Sequence, residues 1–138
     1  MANTNHDKYL EAEVLGADPV KLVRLLYRGA TEAVVAARKH LAAGEIRQRS
    51  RQITKSWGIL YELSLSLDQE RGGEISRSLA GLYAYMQNRL LEANLKQTDA
   101  PLAEVQSLLA TLGEAWASAK LPARIVEADA YEPVSCVY

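Results

Sequence analysis

The side chains with which this chain could do covalent, metal or phosphate chemistry are few and scattered. It has two histidines, His6 and His40, and one cysteine, Cys136. A di-iron centre in a helical bundle needs a Glu-x-x-His step on each of two helices. Neither histidine stands three or four residues from a glutamate in that way. Zinc needs a cluster of Cys and His, which the sequence lacks. Gly72-Gly73 is too short for a phosphate loop and no Lys-Ser/Thr follows it. Cys136 has no evident base nearby in sequence to make it a nucleophile. The carboxylates are spread over what should be outer helix faces. The expectation is a protein that is not an enzyme, with no cofactor, no metal and no catalytic residues.

Charge is the next resource. The chain is near neutral, with 16 Lys and Arg against 17 Asp and Glu. Residues 21–55 nonetheless hold nine cations (Lys21, Arg24, Arg28, Arg38, Lys39, Arg47, Arg49, Arg51 and Lys55) against Glu32 and Glu45. That stretch is net +7, and since the whole chain is −1 the remainder carries −8. A basic half can serve nucleic acid or an acidic protein, and a regulatory bundle of that kind is the alternative reading. No nucleic-acid motif accompanies the charge, so solvated outer faces are the preferred account and no nucleic-acid partner is expected. A lone thiol cannot close an intrachain disulfide, which fits a reducing cytoplasm. Met1 to Lys8 is polar and lacks the apolar region of a secretory signal. No apolar run reaches the ~18 residues of a membrane span.

These groups must be held by helices. The length of 138 residues and a hydrophobic share of 49 % suit one domain with its own core. Asp18-Pro19 reads as an N-cap with proline at the first helical position. Leu22, Leu26, Ala30, Ala33, Ala37 and Leu41 follow at helical spacing, and Gly44 supplies a stop. A second helix, from about Glu45 to Leu67, has a seam of Ile46, Ser50, Ile53, Trp57, Leu60, Ser64 and Leu67. Asp68 to Gly73 reads as a turn. A third, from about Glu74 to Lys96, carries Ile75, Leu79, Leu82, Met86, Leu90 and Ala93. Thr98-Asp99-Ala100-Pro101 breaks it and starts a fourth, with Leu102, Val105, Leu109, Leu112, Trp116 and Ala119. No stretch alternates with period two, so no strands are expected. Short connections predict an all-α, antiparallel up-down-up-down four-helix bundle over residues 18–119. An N-terminal segment, 1–17, precedes it and an extended tail, 120–138, follows.

The third helix has more apolar surface than one stripe needs. Ala80, Ala84, Leu91 and Leu95 line up with one another, more than ~100° from the centre of the main stripe. Ile59, Leu63 and Leu65 lie off the seam of the second helix, and Leu25 and Val35 off that of the first. Such residues await either a terminal segment or a partner. Gly29, Gly58 and Gly81 inside helices suggest the close approach of a neighbouring or bound backbone.

The block Leu67-Asp68-Gln69-Glu70-Arg71-Gly72-Gly73-Glu74-Ile75 continues into Leu79, Leu82-Tyr83-Ala84-Tyr85-Met86 and Arg89-Leu90-Leu91-Glu92-Ala93-Asn94. With Tyr9, Val14, Ala17-Asp18-Pro19, Leu22 and Leu26-Tyr27-Arg28-Gly29-Ala30 before it, and Val105, Leu108-Leu109 and Ala115-Trp116 after it, it resembles the flagellin-specific secretion chaperones of bacteria, the FliS family. The likeness covers about residues 9–118. Two positions depart from the family's usual pattern: Ala84 stands where an aspartate is common between the paired tyrosines, and Arg28 where an acidic residue is common. The resemblance implies a cytoplasmic export chaperone that binds the disordered C-terminal region of flagellin by a helix-in-groove mode coupled to folding. It would prevent premature polymerisation and keep the cargo fit for flagellar type III secretion. The flagellin-binding residues it implies are Leu25, Tyr27, Gly29, Ala80, Tyr83, Ala84, Tyr85, Leu91, Asn94 and Leu95, with Tyr27, Tyr83 and Tyr85 lining the surface; their spacing also fits the edge of the core, Tyr83 above all, at about 60° from the stripe centre. Tyr9 and Val14 would cap the groove and dock on the export gate. A co-chaperone or an anti-sigma factor is a further partner class that such a surface would suit.

Overall fold

The computed structural model describes residues 19–118 and 120–127. They form α1 (Pro19–Ala43), α2 (Ile46–Leu65), α3 (Gln69–Lys96) and α4 (Ala100–Ala117), followed by a short 3-10 turn (Ala123–Ile125). Among the described residues there are no strands, only an isolated antiparallel bridge between Leu67 and Val126. Tyr9, Val14, Asp18, Ala119 and Cys136 lie outside them.

The breaks fall where local chemistry demands. Gly44 takes a left-handed φ of 73°, and Glu45 N–H donates back to the His40 carbonyl at 2.9 Å, closing the end of α1. The Asp68 carboxylate caps α3 by accepting from Arg71 N–H at 2.9 Å. α3 stops at Gln97, whose φ is 56°, and Pro101 sits in the first turn of α4. The expected turn over Asp68–Gly73 is corrected: Gln69 to Gly72 already form a helical turn, and the break is confined to Gly73, with φ 52° and ψ −126°. Only glycine adopts that conformation without strain. Its neighbour Gly72 is buried, and a Cβ there would collide with Ser76.

The helices contact one another in a closed ring, α1 with α2, α2 with α3, α3 with α4, and α4 with α1. Ser56 Oγ of α2 donates to the Ala30 carbonyl of α1. Arg49 and Ser50, early in α2, meet Asn94, late in α3. Arg38, late in α1, clamps Asp99 at the head of α4 with two bonds of 2.8 Å. Early residues of one helix thus meet late residues of the next, as an up-and-down bundle requires.

The rotation of two helices differs from the sequence expectation. α2 buries Arg49, Ile53, Ser56, Leu60 and Leu63, so the seam runs through Ser56 and Leu63, while Ile46 is exposed and Trp57 only partly buried. α3 buries Ser76, Leu79, Tyr83, Met86, Leu90 and Ala93, with Ile75 and Leu82 at the margin. The cause is satisfied polarity: Arg49, Ser56, Ser76 and Tyr83 each find a partner on another element, which a hydrophobic pattern cannot show. Tyr27 and Tyr83 share a hydrogen bond between their hydroxyls at 2.5 Å, with ring centroids 6.3 Å apart. Burial pushes both phenols above their ordinary pKa. Trp116 Nε1–H, fully buried, has no partner at hydrogen-bond geometry among the described residues, yet it stands near enough to both hydroxyls to oppose that rise.

The tail expectation also changes over its first residues. Ile125 and Val126 are buried at 0 % and 4 % exposure. Asp68 N–H donates to the Ile125 carbonyl at 2.7 Å and Glu127 N–H to the Ser66 carbonyl at 3.0 Å. Residues 123–127 therefore close the end of the bundle at the α2–α3 turn.

Candidate binding face

Two contacts define the side of α3 that faces α2. Gln87 Nε2 donates to the Trp57 carbonyl at 3.2 Å, and Asn94 Oδ1 accepts from Arg49 Nε at 2.9 Å and Ser50 Oγ at 3.1 Å. At ~100° per residue, Ala80, Ala84, Leu91 and Leu95 fall within about 80° of Gln87, on the outward side. Leu91 is 52 % exposed, Leu95 81 % exposed, Ala84 exposed and Ala80 partly buried. Both contacts give the same register, which sets Tyr61 level with Ala84 and Ser64 level with Ala80. Trp57 and Tyr61 stack, with centroids 5.9 Å apart and planes at 12°. The result is an apolar strip along α2 and α3: an aromatic platform beside two alanines at one end, and Ile46, Leu91 and Leu95 at the other.

The sequence-expected residues do not form one surface. Ala80, Ala84, Leu91, Asn94 and Leu95 share the strip. Tyr85 is exposed on the opposite flank of α3, where its hydroxyl donates to Glu104 Oε2 at 2.7 Å. Glu104 also takes Arg89, and Arg89 and Lys96 hold Glu92. These bonds keep the Glu104 and Glu92 carboxyls below their usual range. Leu25 lines a separate pocket of about 550 Å³ at the start of α1, with Lys21, Arg24, Arg28 and Ala123. Tyr27 and Tyr83 are 3 % and 1 % exposed, so the expectation that they line the surface is corrected: they are core, held by their shared hydrogen bond.

The glycines divide too. A Cβ at Gly29 would meet Ile59 Cδ1 at 3.3 Å, so a neighbouring side chain, not a backbone, fills that space. At Gly58 and Gly81 no described residue lies within 4 Å of that position, so no neighbouring helix of the bundle approaches closely there. Gly81→Ala should therefore stabilise the bundle by about 0.5–1 kcal/mol through helix propensity. A urea midpoint raised at unchanged slope is the expected reading.

Sequence reasoning missed Tyr61 and placed Trp57 and Ile46 in the seam. The spacing of Trp57 and Tyr61, two aromatics four apart, was the available signal. Nor do the nine cations form one patch, since Arg38 pairs with Asp99 and Arg49 is buried. Among the described residues no group of three or more His, Cys, Asp and Glu stands together to hold a metal ion. No helix there is long and apolar enough to cross a membrane.

Comparison with known proteins gives a consistent result. The model of the family described as flagellar protein FliS matches residues 1–123. The flagellar secretion chaperone FliS of Salmonella typhimurium is 40 % identical over 108 residues, covering 78 % of this chain and 80 % of that protein. The flagellar secretion chaperone FliSB of Pseudomonas aeruginosa is 38 % identical over 107 residues, covering 78 % and 85 %. FliS of Bacillus subtilis is 30 % identical over 111 residues, covering 80 % and 82 %.

Proposed function

Since the chain belongs to the FliS family of flagellar secretion chaperones, we propose that it is a cytoplasmic, non-enzymatic export chaperone whose cargo is flagellin. The observation that carries this reading is the apolar strip on α2 and α3. An apolar stripe of the flagellin C-terminal region, disordered alone, folds as a helix along it. Each Leu, Ile or aromatic covered contributes up to ~1.5–3 kcal/mol. Ordering the segment costs ~2–5 kcal/mol, which keeps the complex reversible and the cargo transferable to the export gate. While bound, the cargo cannot offer that stripe to another flagellin, so polymerisation is blocked. Ala80, Ala84, Leu91, Asn94 and Leu95 contact the cargo, with Trp57 and Tyr61 as the platform. Tyr9 and Val14 retain the gate-docking role that the family likeness implies for them.

The test is calorimetric titration with a peptide of the last ~50 residues of flagellin from the same bacterium, long enough for several helical turns. Saturable binding near one to one, with negative heat-capacity change and persistence at high salt, is expected. Absence of binding, both to the full chain and to a form lacking residues 1–17, would refute flagellin as the cargo. Binding that collapses with salt would favour the basic residues instead.

A further inference from the structure

Arg49 is the one charged residue buried among the described residues, at 4 % exposure. A buried charge is ordinarily paired with an opposite one, and Arg49 has no such partner among the described residues. Its Nε donates to Asn94 Oδ1, a neutral amide. The carboxylates at this end of the bundle are engaged elsewhere: Glu45 with His40, Glu92 with Arg89 and Lys96, Asp99 with Arg38. The two terminal amino groups of the guanidinium have no hydrogen-bond partner among the described residues. They are not sealed in either, since Trp116 Nε1 is the only fully buried side-chain nitrogen or oxygen there without a partner. The Asn94 carbonyl oxygen is already saturated by Arg49 and Ser50, which leaves its amide N–H groups as donors. An orphan guanidinium fork and an amide thus stand together, with exposed Ile46, Leu91 and Leu95 on the same two helix ends.

We propose that Arg49 and Asn94 form a carboxylate-binding site at the end of the apolar strip, which takes one Asp or Glu side chain of the bound flagellin helix. This rests on the cargo reading above and adds to it a fixed register. A guanidinium fork matches a carboxylate in a bidentate way. The surrounding apolar side chains select a carboxylate carried on an amphipathic helix over a freely hydrated anion. Apolar contacts alone would let such a helix slide by a turn; one buried ion pair permits a single position.

The experiment combines calorimetry on wild-type protein and Arg49→Gln with the flagellin C-terminal peptide and a set of peptides in which each Asp or Glu is changed singly to Asn or Gln. With the wild-type protein, one peptide substitution should weaken binding by about 30-fold, the lower range for breaking one side of a desolvated pair. The others should change it less than about threefold, the range of rim charges. Arg49→Gln should lose a similar factor and show no further loss with that one peptide. Should Arg49→Gln fail to fold, the wild-type peptide series decides alone. If no single substitution weakens wild-type binding, or if Arg49→Gln binds the parent peptide as tightly as wild type, the carboxylate site is refuted while the cargo reading stands. If wild type binds no peptide at all, both fall.

Discussion

Leu91→Asp should leave the helix content and the urea midpoint nearly unchanged and abolish measurable binding of the flagellin C-terminal peptide. Leu91 is half exposed, so a polar side chain there costs the free protein little, within about 0.5 kcal/mol. In the complex the same change forfeits ~1.5–3 kcal/mol of apolar burial. It also forces an aspartate out of water, at about 1–3 kcal/mol. Together these weaken the complex on the order of 100-fold or more. Circular dichroism checks the first half and calorimetry the second. A variant that unfolds would show that Leu91 serves the bundle, and one that binds normally would move the cargo off the α2–α3 strip.

Changes at Tyr83 should do the reverse. Tyr83→Ala empties a large, 1 %-exposed site in the core and should cost about 3–5 kcal/mol. Tyr83→Phe keeps the ring and removes the hydroxyl, leaving Tyr27 buried without its partner, at about 1–3 kcal/mol. Neither change touches the strip, so the cargo affinity of the folded fraction should hold. Urea unfolding gives the stability and calorimetry the affinity. Full stability of Tyr83→Phe combined with lost cargo would return Tyr83 to the binding surface.

That contrast shows what was legible in the sequence. The four helices could be read because their ends are punctuated locally: Pro19, Gly44, Asp68 and Pro101 act on their own few residues. Leu91 and Leu95 could be read as outlying because their distance from the stripe of α3 is a matter of helical geometry alone. The rotation of α2 was not legible. Counting apolar residues favours Ile46 and Trp57 for the seam, whereas the fold buries Arg49 and Ser56. Those two become admissible inside only once Asn94 and the Ala30 carbonyl, 45 and 26 residues away in the chain, arrive to meet them. Tyr83 is a related case, since a tyrosine on a stripe margin reads either as core edge or as surface until a second hydroxyl is placed against it. Residues 123–127 carried no periodic signal, and their burial depends on the open end of the bundle that receives them.

The position of Ile125 bears on when, during synthesis, this protein can finish folding. Its side chain is part of the buried core, and its carbonyl receives Asp68 N–H from 57 residues earlier. A ribosome that has delivered all of α4 has therefore not yet delivered the whole core. The α1–α2 hairpin, whose contacts are near in sequence, can form early. The cap of α3 is local and can form with that helix, but the closure of the bundle end over the α2–α3 turn must wait for residue 125 to clear the exit tunnel.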